Sequence, residues 1–170
     1  MSMSENSVDP AVLKDGASEN MNAKKSKSHA RALAARLASV QAMYQILQNE
    51  QPMRKVVQEY LDYRSDVEID GQKLENPDEF LLKRILYGLD DRMVEVQEIL
   101  KANLTKSSTQ DVESLLKSIL LCGVYELLAH QEIDSPIIIN DYLNVAHGFY
   151  GQSEVSLING VLDSVASLLR

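Results

Sequence analysis

Tryptophan is absent from this chain of 170 residues, cysteine occurs once, and there are two phenylalanines. The lone Cys122 rules out an internal disulfide and a cysteine-rich metal site. It lies within the apolar run 118–128 and reads as a small buried hydrophobe. Seven glycines and four prolines are few, whereas leucine and alanine abound, a balance that favours helices over sheets. No apolar run approaches the roughly 18 residues that cross a bilayer, and the N-terminus carries charges where a signal peptide is apolar. No membrane association and a cytoplasmic location are therefore expected. Recognisable catalytic constellations are lacking too: no glycine-rich phosphate loop, no His-Glu-x-x-His, no paired cysteines and no Gly-x-Ser-x-Gly. His29, His130 and His147 lack metal-ligand spacing and read as surface or helix-end residues. The pattern asks for no enzyme, no cofactor and no metal.

The length suits one substantial core with a tail. Residues 1–22 are rich in Ser, Asn, Asp and Glu and have too little apolar surface to offset the entropy of ordering them, so a disordered tail over 1–26 is expected. From Ala30 the pattern changes. Leu33, Leu37, Val40, Tyr44 and Leu47 mark one stripe of a helix that ends near Asn49, ahead of Pro52. A shorter helix is predicted over 54–64 and a polar loop over 65–75. Asn76, Pro77 and Glu79 form a helix start, with Asn76 as the cap, and Leu82, Ile85, Leu89, Met93, Val96 and Leu100 continue as one stripe.

After a Ser/Thr-rich break at 105–109, the segment 112–129 is apolar almost all round, as a helix at the centre of a bundle is. Ser135-Pro136 opens another helix, with Ile138, Tyr142, Val145 and Phe149 facing inward. Ser153 caps the last, whose stripe is Val155, Ile158, Leu162, Val165 and Leu169. The expected fold is all-α, six or seven helices in two small packed bundles, over residues 27–170.

The formal net charge is −8, yet its distribution is uneven. Lys24, Lys25, Lys27, Arg31 and Arg36 occupy 23–36 without one acid. Such a cluster attracts phosphate backbones, because binding releases condensed counterions. Arg31 falls almost opposite the apolar stripe, whereas Arg36 lies at its edge, where it either contacts RNA or pairs with an acid on a neighbouring helix. Tyr44 either packs in the core or stacks on an unpaired base.

Four landmarks in order resemble the NusB family of transcription antitermination factors. Leu157-Ile158-Asn159-Gly160-Val161-Leu162-Asp163 is similar to its Val-Asn-Gly-Val-Leu-Asp signature. Arg36 followed by Val40-Gln41-Ala42-Met43-Tyr44 resembles Arg-x-x-x-Val-Gln-Ala-Leu-Tyr. Val124-Tyr125-Glu126-Leu127 resembles Leu-Tyr-Glu-Leu, and residues 136–141 resemble Pro-x-x-Val-Ile-Asn-Glu. The resemblance implies a heterodimer with the small-subunit ribosomal protein that doubles as Nus factor E. It implies binding of single-stranded boxA RNA and, with other Nus factors, help to RNA polymerase in resisting termination on ribosomal RNA operons. A homodimer in the absence of the partner also follows, since some members self-associate.

By position, the family's RNA-binding role carries over best to Arg36 and then Tyr44. The motif residues Tyr125, Glu126, Asn159 and Gly160 read as structural: Tyr125 and Glu126 as polar groups at the rim of the buried helix, Asn159 as a backbone partner, and Gly160 as a point of close helix approach. Three departures stand out. Leu33-Ala34-Ala35 replaces consecutive arginines, Leu116 and Leu121 replace an acid and an arginine on the central helix, and Ser156-Leu157 replaces a basic-aromatic pair. The alternatives are a helical protein-interaction scaffold, or the RNA-binding appendage of an RNA cytosine methyltransferase.

Overall fold

The computed structural model describes residues 10–63, 68–69, 72–73, 75–104 and 112–170, with side chains described from residue 16. Among the described residues seven α-helices span Pro10–Asn49 (α1), Met53–Tyr63 (α2), Glu79–Asp91 (α3), Met93–Asn103 (α4), Ser114–Ala129 (α5), Ser135–His147 (α6) and Gln152–Leu169 (α7). A two-residue antiparallel ladder pairs Glu68–Ile69 (β1) with Gln72–Lys73 (β2), inside the segment expected to be loop. The expected Ser/Thr-rich break at 105–109 lies outside the described residues.

The helices pack as α1–α3 on one side and α4–α7 on the other, joined where α1 lies on α5 and α6. One continuous apolar core runs through both groups. The central place of α5 follows from its composition: Leu116, Ile119, Leu120, Leu121, Cys122, Val124 and Leu127 are all buried, and the helix packs against α1, α3, α4, α6 and α7. A helix without a polar face has nowhere else to go. Close approach is achieved at two glycines. A Cβ on Gly88 would overlap the Tyr125 hydroxyl, and one on Gly123 would lie 2.8 Å from a Leu162 methyl.

Several local expectations are corrected. The helix α1 begins at Pro10, well before Ala30, so over its described part the segment expected to be a disordered tail is helical; residues 1–9 lie outside the description. Residues 16–29 are nonetheless exposed throughout, so this extension is a helix without a core, continued outward from the packed part of α1. The single stripe from Leu82 to Leu100 is broken at Arg92 (φ −116°, ψ 22°) into α3 and α4, and the Arg92 guanidinium bonds Glu95 in the new first turn at 2.8 and 3.0 Å.

The cap of α3 is Asp78, not Asn76; its carboxylate accepts the Leu81 N–H at 3.1 Å. The cap of α7 is Gly151, not Ser153. At the end of α5 the carbonyls of Leu127, His130 and Glu126, each already accepting one bond, also receive the Arg170 guanidinium, at 3.1, 2.9 and 3.3 Å.

The buried face of α1 is also turned from the expected stripe by about a third of a turn. Ala35, Arg36, Ala38, Ser39, Val40, Ala42 and Met43 face inward, Leu33, Leu37 and Leu47 are half-buried, and Tyr44 is exposed. The inward residues are mostly small, which lets α1 lie close along α5.

Candidate nucleic-acid interface

The α1 helix distributes the positive residues over two very different environments. Lys24, Lys25, Lys27 and Arg31 are exposed on its outer half. At 100° per residue, Lys24, Lys27 and Arg31 share one face and Lys25 stands apart from them. Arg31 is also tied to the start of α3: its Nε donates to the Asn76 carbonyl at 3.2 Å, and its carbonyl accepts the Asp78 N–H at 3.0 Å.

Arg36, the residue expected to contact RNA most directly, is instead 2% exposed. Its Nε and Nη2 form a two-pronged pair with Glu126 at 2.8 and 2.9 Å, while Nη1 reaches Asp141 at 2.9 Å. The ion-pair alternative is the one the geometry fills. Glu126 is fully buried rather than at a rim, and it also accepts the Tyr142 hydroxyl at 2.7 Å and lies 3.0 Å from His130 Nδ1. The second oxygen of Asp141 lies 2.9 Å from His29 Nε2, which returns to the surface of α1.

Burial alone would raise the pKa of Glu126, but the hydrogen bonds from His130 and Arg36, with the charge on Arg36, hold the carboxyl below its ordinary range. Burial likewise opposes the charge on Arg36, and Glu126 outweighs it. This cluster locks α1, α5 and α6 together. A guanidinium suits the position because its planar fork matches a carboxylate with two parallel bonds.

Tyr44 is 38% exposed and stands in an open groove of about 470 Å³ with Gln41, Gln45, Gln48, Tyr60 and Phe149. Phe149, expected to face inward, is 46% exposed because α6 ends at His147 and the chain has already turned away. Sequence reasoning missed the pairing of Tyr44 with Phe149; they are 105 residues apart in number, and no local pattern joins them. The groove is about 20 Å along α1 from Arg31, so the basic face and the aromatic groove are two contacts rather than one.

The remaining motif residues are structural in unequal degree. Tyr125 is buried against Gly88, with its ring edge-on to His130 at 5.4 Å. Gly160 has open space around its Cβ position and so marks no close helix approach, and Asn159 beside it is exposed. Burial, with the Glu126 charge, pushes the Cys122 thiol well up, as expected of an inert core residue. Among the described residues no group of three or more His, Cys, Asp or Glu is placed to hold a metal ion, and no helix is long and apolar enough to cross a membrane.

Apart from the two-residue ladder the described elements are helices, with an arginine–carboxylate cluster buried where α1, α5 and α6 meet and basic residues exposed on the outer half of α1. The NusB family model matches residues 33–167, and the chain belongs to that family. It is 34% identical over 138 residues to the transcription antitermination protein NusB of Novosphingobium aromaticivorans, covering 81% of this chain and 93% of that one. It is 33% identical over 138 residues to the protein of that name from Allorhizobium ampelinum, with 81% and 86% covered. The fold is that of T. maritima NusB, at a TM-score of 0.66 and 19% identity, over 80% of this chain and 90% of that one.

Proposed function

We propose that this protein is a transcription antitermination factor of the cytoplasm that works by recognition alone. Together with the Nus factor E ribosomal protein it holds single-stranded boxA RNA, and with other Nus factors it helps RNA polymerase resist termination on ribosomal RNA operons. The observation that carries this reading is the acid-free basic run on the solvent side of α1, in a chain of this family. Lys24, Lys27 and Arg31 offer three cations on one helical face to a phosphate backbone, and Lys25 a fourth beside it. Tyr44 and Phe149 supply exposed rings on which bases stack, side by side in one groove.

Arg36 has no part in the contact surface; its role is to hold the helix that carries the surface. The test is titration of boxA RNA with and without the Nus factor E protein at several salt concentrations. Salt-sensitive binding is expected, and Lys24→Ala with Lys27→Ala should lower the slope of log affinity against log salt by about one for each phosphate no longer neutralised. No salt-sensitive binding in either condition would sink the proposal. Binding of the ribosomal partner that ignores RNA altogether would favour a protein scaffold.

A further inference from the structure

The outer face of α3 is unusual for a solvent-facing helix. Phe80 is 72% exposed, and Phe80, Arg84 and Tyr87 follow at i, i+4 and i+7 on the side opposite Leu81, Leu82, Ile85, Leu86 and Leu89. Each ring carries a guanidinium: Arg84 stands over Phe80 at 5.8 Å from the ring centre, and Arg54 of α2 over Tyr87 at 5.7 Å. Lys83 is exposed beside them.

The acids nearby are Glu75 and Asp78 in the turn before the helix, Asp78 occupied in capping it, Glu79 in the first turn, Asp90 and Asp91 at the far end, and Glu132, which bonds Arg84 at 2.7 Å at the solvent surface. Neither Arg54 nor Lys83 pairs with a carboxylate among the described residues. This face is also continuous with the basic face of α1. Arg31 bonds both Asn76 and Asp78, so the row Lys24, Lys27, Arg31 ends against the turn from which Phe80 emerges two residues later.

We infer that the α3 face is a second single-stranded RNA contact, in which Phe80 stacks on a base and Arg54, Lys83 and Arg84 meet phosphates, extending the track laid down by α1. The inference rests on the RNA reading above and deepens it. An exposed ring among cations suits an unpaired strand, since every base has a stackable face and every nucleotide a charge; Tyr87, packed against the core, holds Arg54 in place rather than offering its own face. A protein partner would bury Phe80 without needing three cations around the two rings.

The chain has no tryptophan, so Phe80→Trp provides a single reporter at the site. The probes are boxA RNA and the same RNA extended at its 5′ or its 3′ end by about ten uridines, a length within the usual range for such tracks. One extended probe should bind the intact protein roughly five- to tenfold more tightly than the unextended one, and it should quench the indole emission of the Phe80→Trp variant. Phe80→Ala should remove that gain and leave the unextended affinity unchanged, and Phe80→Tyr should restore it.

Equal gain in Phe80→Ala and wild type, or no quenching by either extended probe, overturns the inference while the unextended binding still stands. Loss of Nus factor E binding in Phe80→Ala with RNA affinities intact overturns it in favour of a protein-docking face. Loss of all RNA binding in wild type removes both readings together. Because Phe80 touches little of the core, thermal melting of all three variants should match wild type and exclude unfolding as a cause.

Discussion

Replacing Arg36 with alanine separates a structural arginine from an RNA-contacting one. The substitution removes three charge-assisted hydrogen bonds, at 2.8, 2.9 and 2.9 Å, and leaves Glu126 and Asp141 as buried carboxylates without their cation. Stranding a charge in this way costs about 3 to 5 kcal/mol, a large part of the roughly 5 to 15 kcal/mol that holds a domain together. At about 2 to 4 °C per kcal/mol for a chain of this size, the midpoint of thermal unfolding should fall by roughly 6 to 20 °C. Arg36→Lys should recover only part of the loss, because a point charge on a flexible stem cannot span both carboxylates with the same fork.

The loss also depends on pH in a defined direction. In the wild type the Glu126 pKa is below its unfolded value of 4.5, so its contribution is fully present above that value and disappears as pH falls through the folded pKa. Without Arg36 burial raises the pKa of the stranded carboxyl, so the gap between variant and wild type should be widest at neutral pH, begin to narrow as pH falls through that raised value, and close below the lowered value of the wild type. Melts followed by circular dichroism from pH 7 to pH 3, with RNA binding measured in parallel, provide the assay. A variant that melts within about 2 °C of wild type at pH 7 yet loses RNA affinity would refute the reasoning and return Arg36 to the binding surface.

Gly88→Ala should destabilise by about 1 to 3 kcal/mol because its methyl enters the space of the Tyr125 ring, whereas Gly160→Ala, open on all sides, should raise the melting temperature through the roughly 1 kcal/mol advantage of alanine in a helix. Equal effects at the two glycines would contradict the packing described. Tyr44→Ala and Phe149→Ala should each weaken boxA binding by about 1 to 3 kcal/mol without lowering the melting temperature by more than a few degrees, since both rings stand in the open groove. Cys122, fully buried, should react with a thiol reagent in the native protein only at the rate of unfolding; rapid labelling would show that α5 is more accessible than its packing implies.

Much of the helical framework was written in local pattern. Residues 112–129 were apolar all round and became the central helix, Asn49 ended the first, and the order of four short motifs identified the family. Each of these signals is a property of neighbouring residues, and helix periodicity, capping and composition act over a few turns. The misplaced details were those in which a contact from elsewhere in the chain chose between adjacent options. Asp78 rather than Asn76 caps α3 in a turn held by Arg31, and α3 breaks from α4 at Arg92.

The site was divided in the same way. That Lys24, Lys25, Lys27 and Arg31 form an acid-free run is a fact of order along the chain, and a helix exposes them because nothing apolar lies beside them to bury. Whether Arg36 faces solvent or core depends on Glu126, 90 residues away, and Asp141, 105 residues away. Only a fold that brings α5 and α6 onto α1 supplies two carboxylates at one point and makes burying a guanidinium preferable to hydrating it. Tyr44 beside Phe149 and Arg31 beside the turn before Phe80 are likewise products of packing. The sequence determined which segments were apolar or basic and where most of the helices lie; tertiary structure alone decided which charges met one another and which remained exposed to solvent.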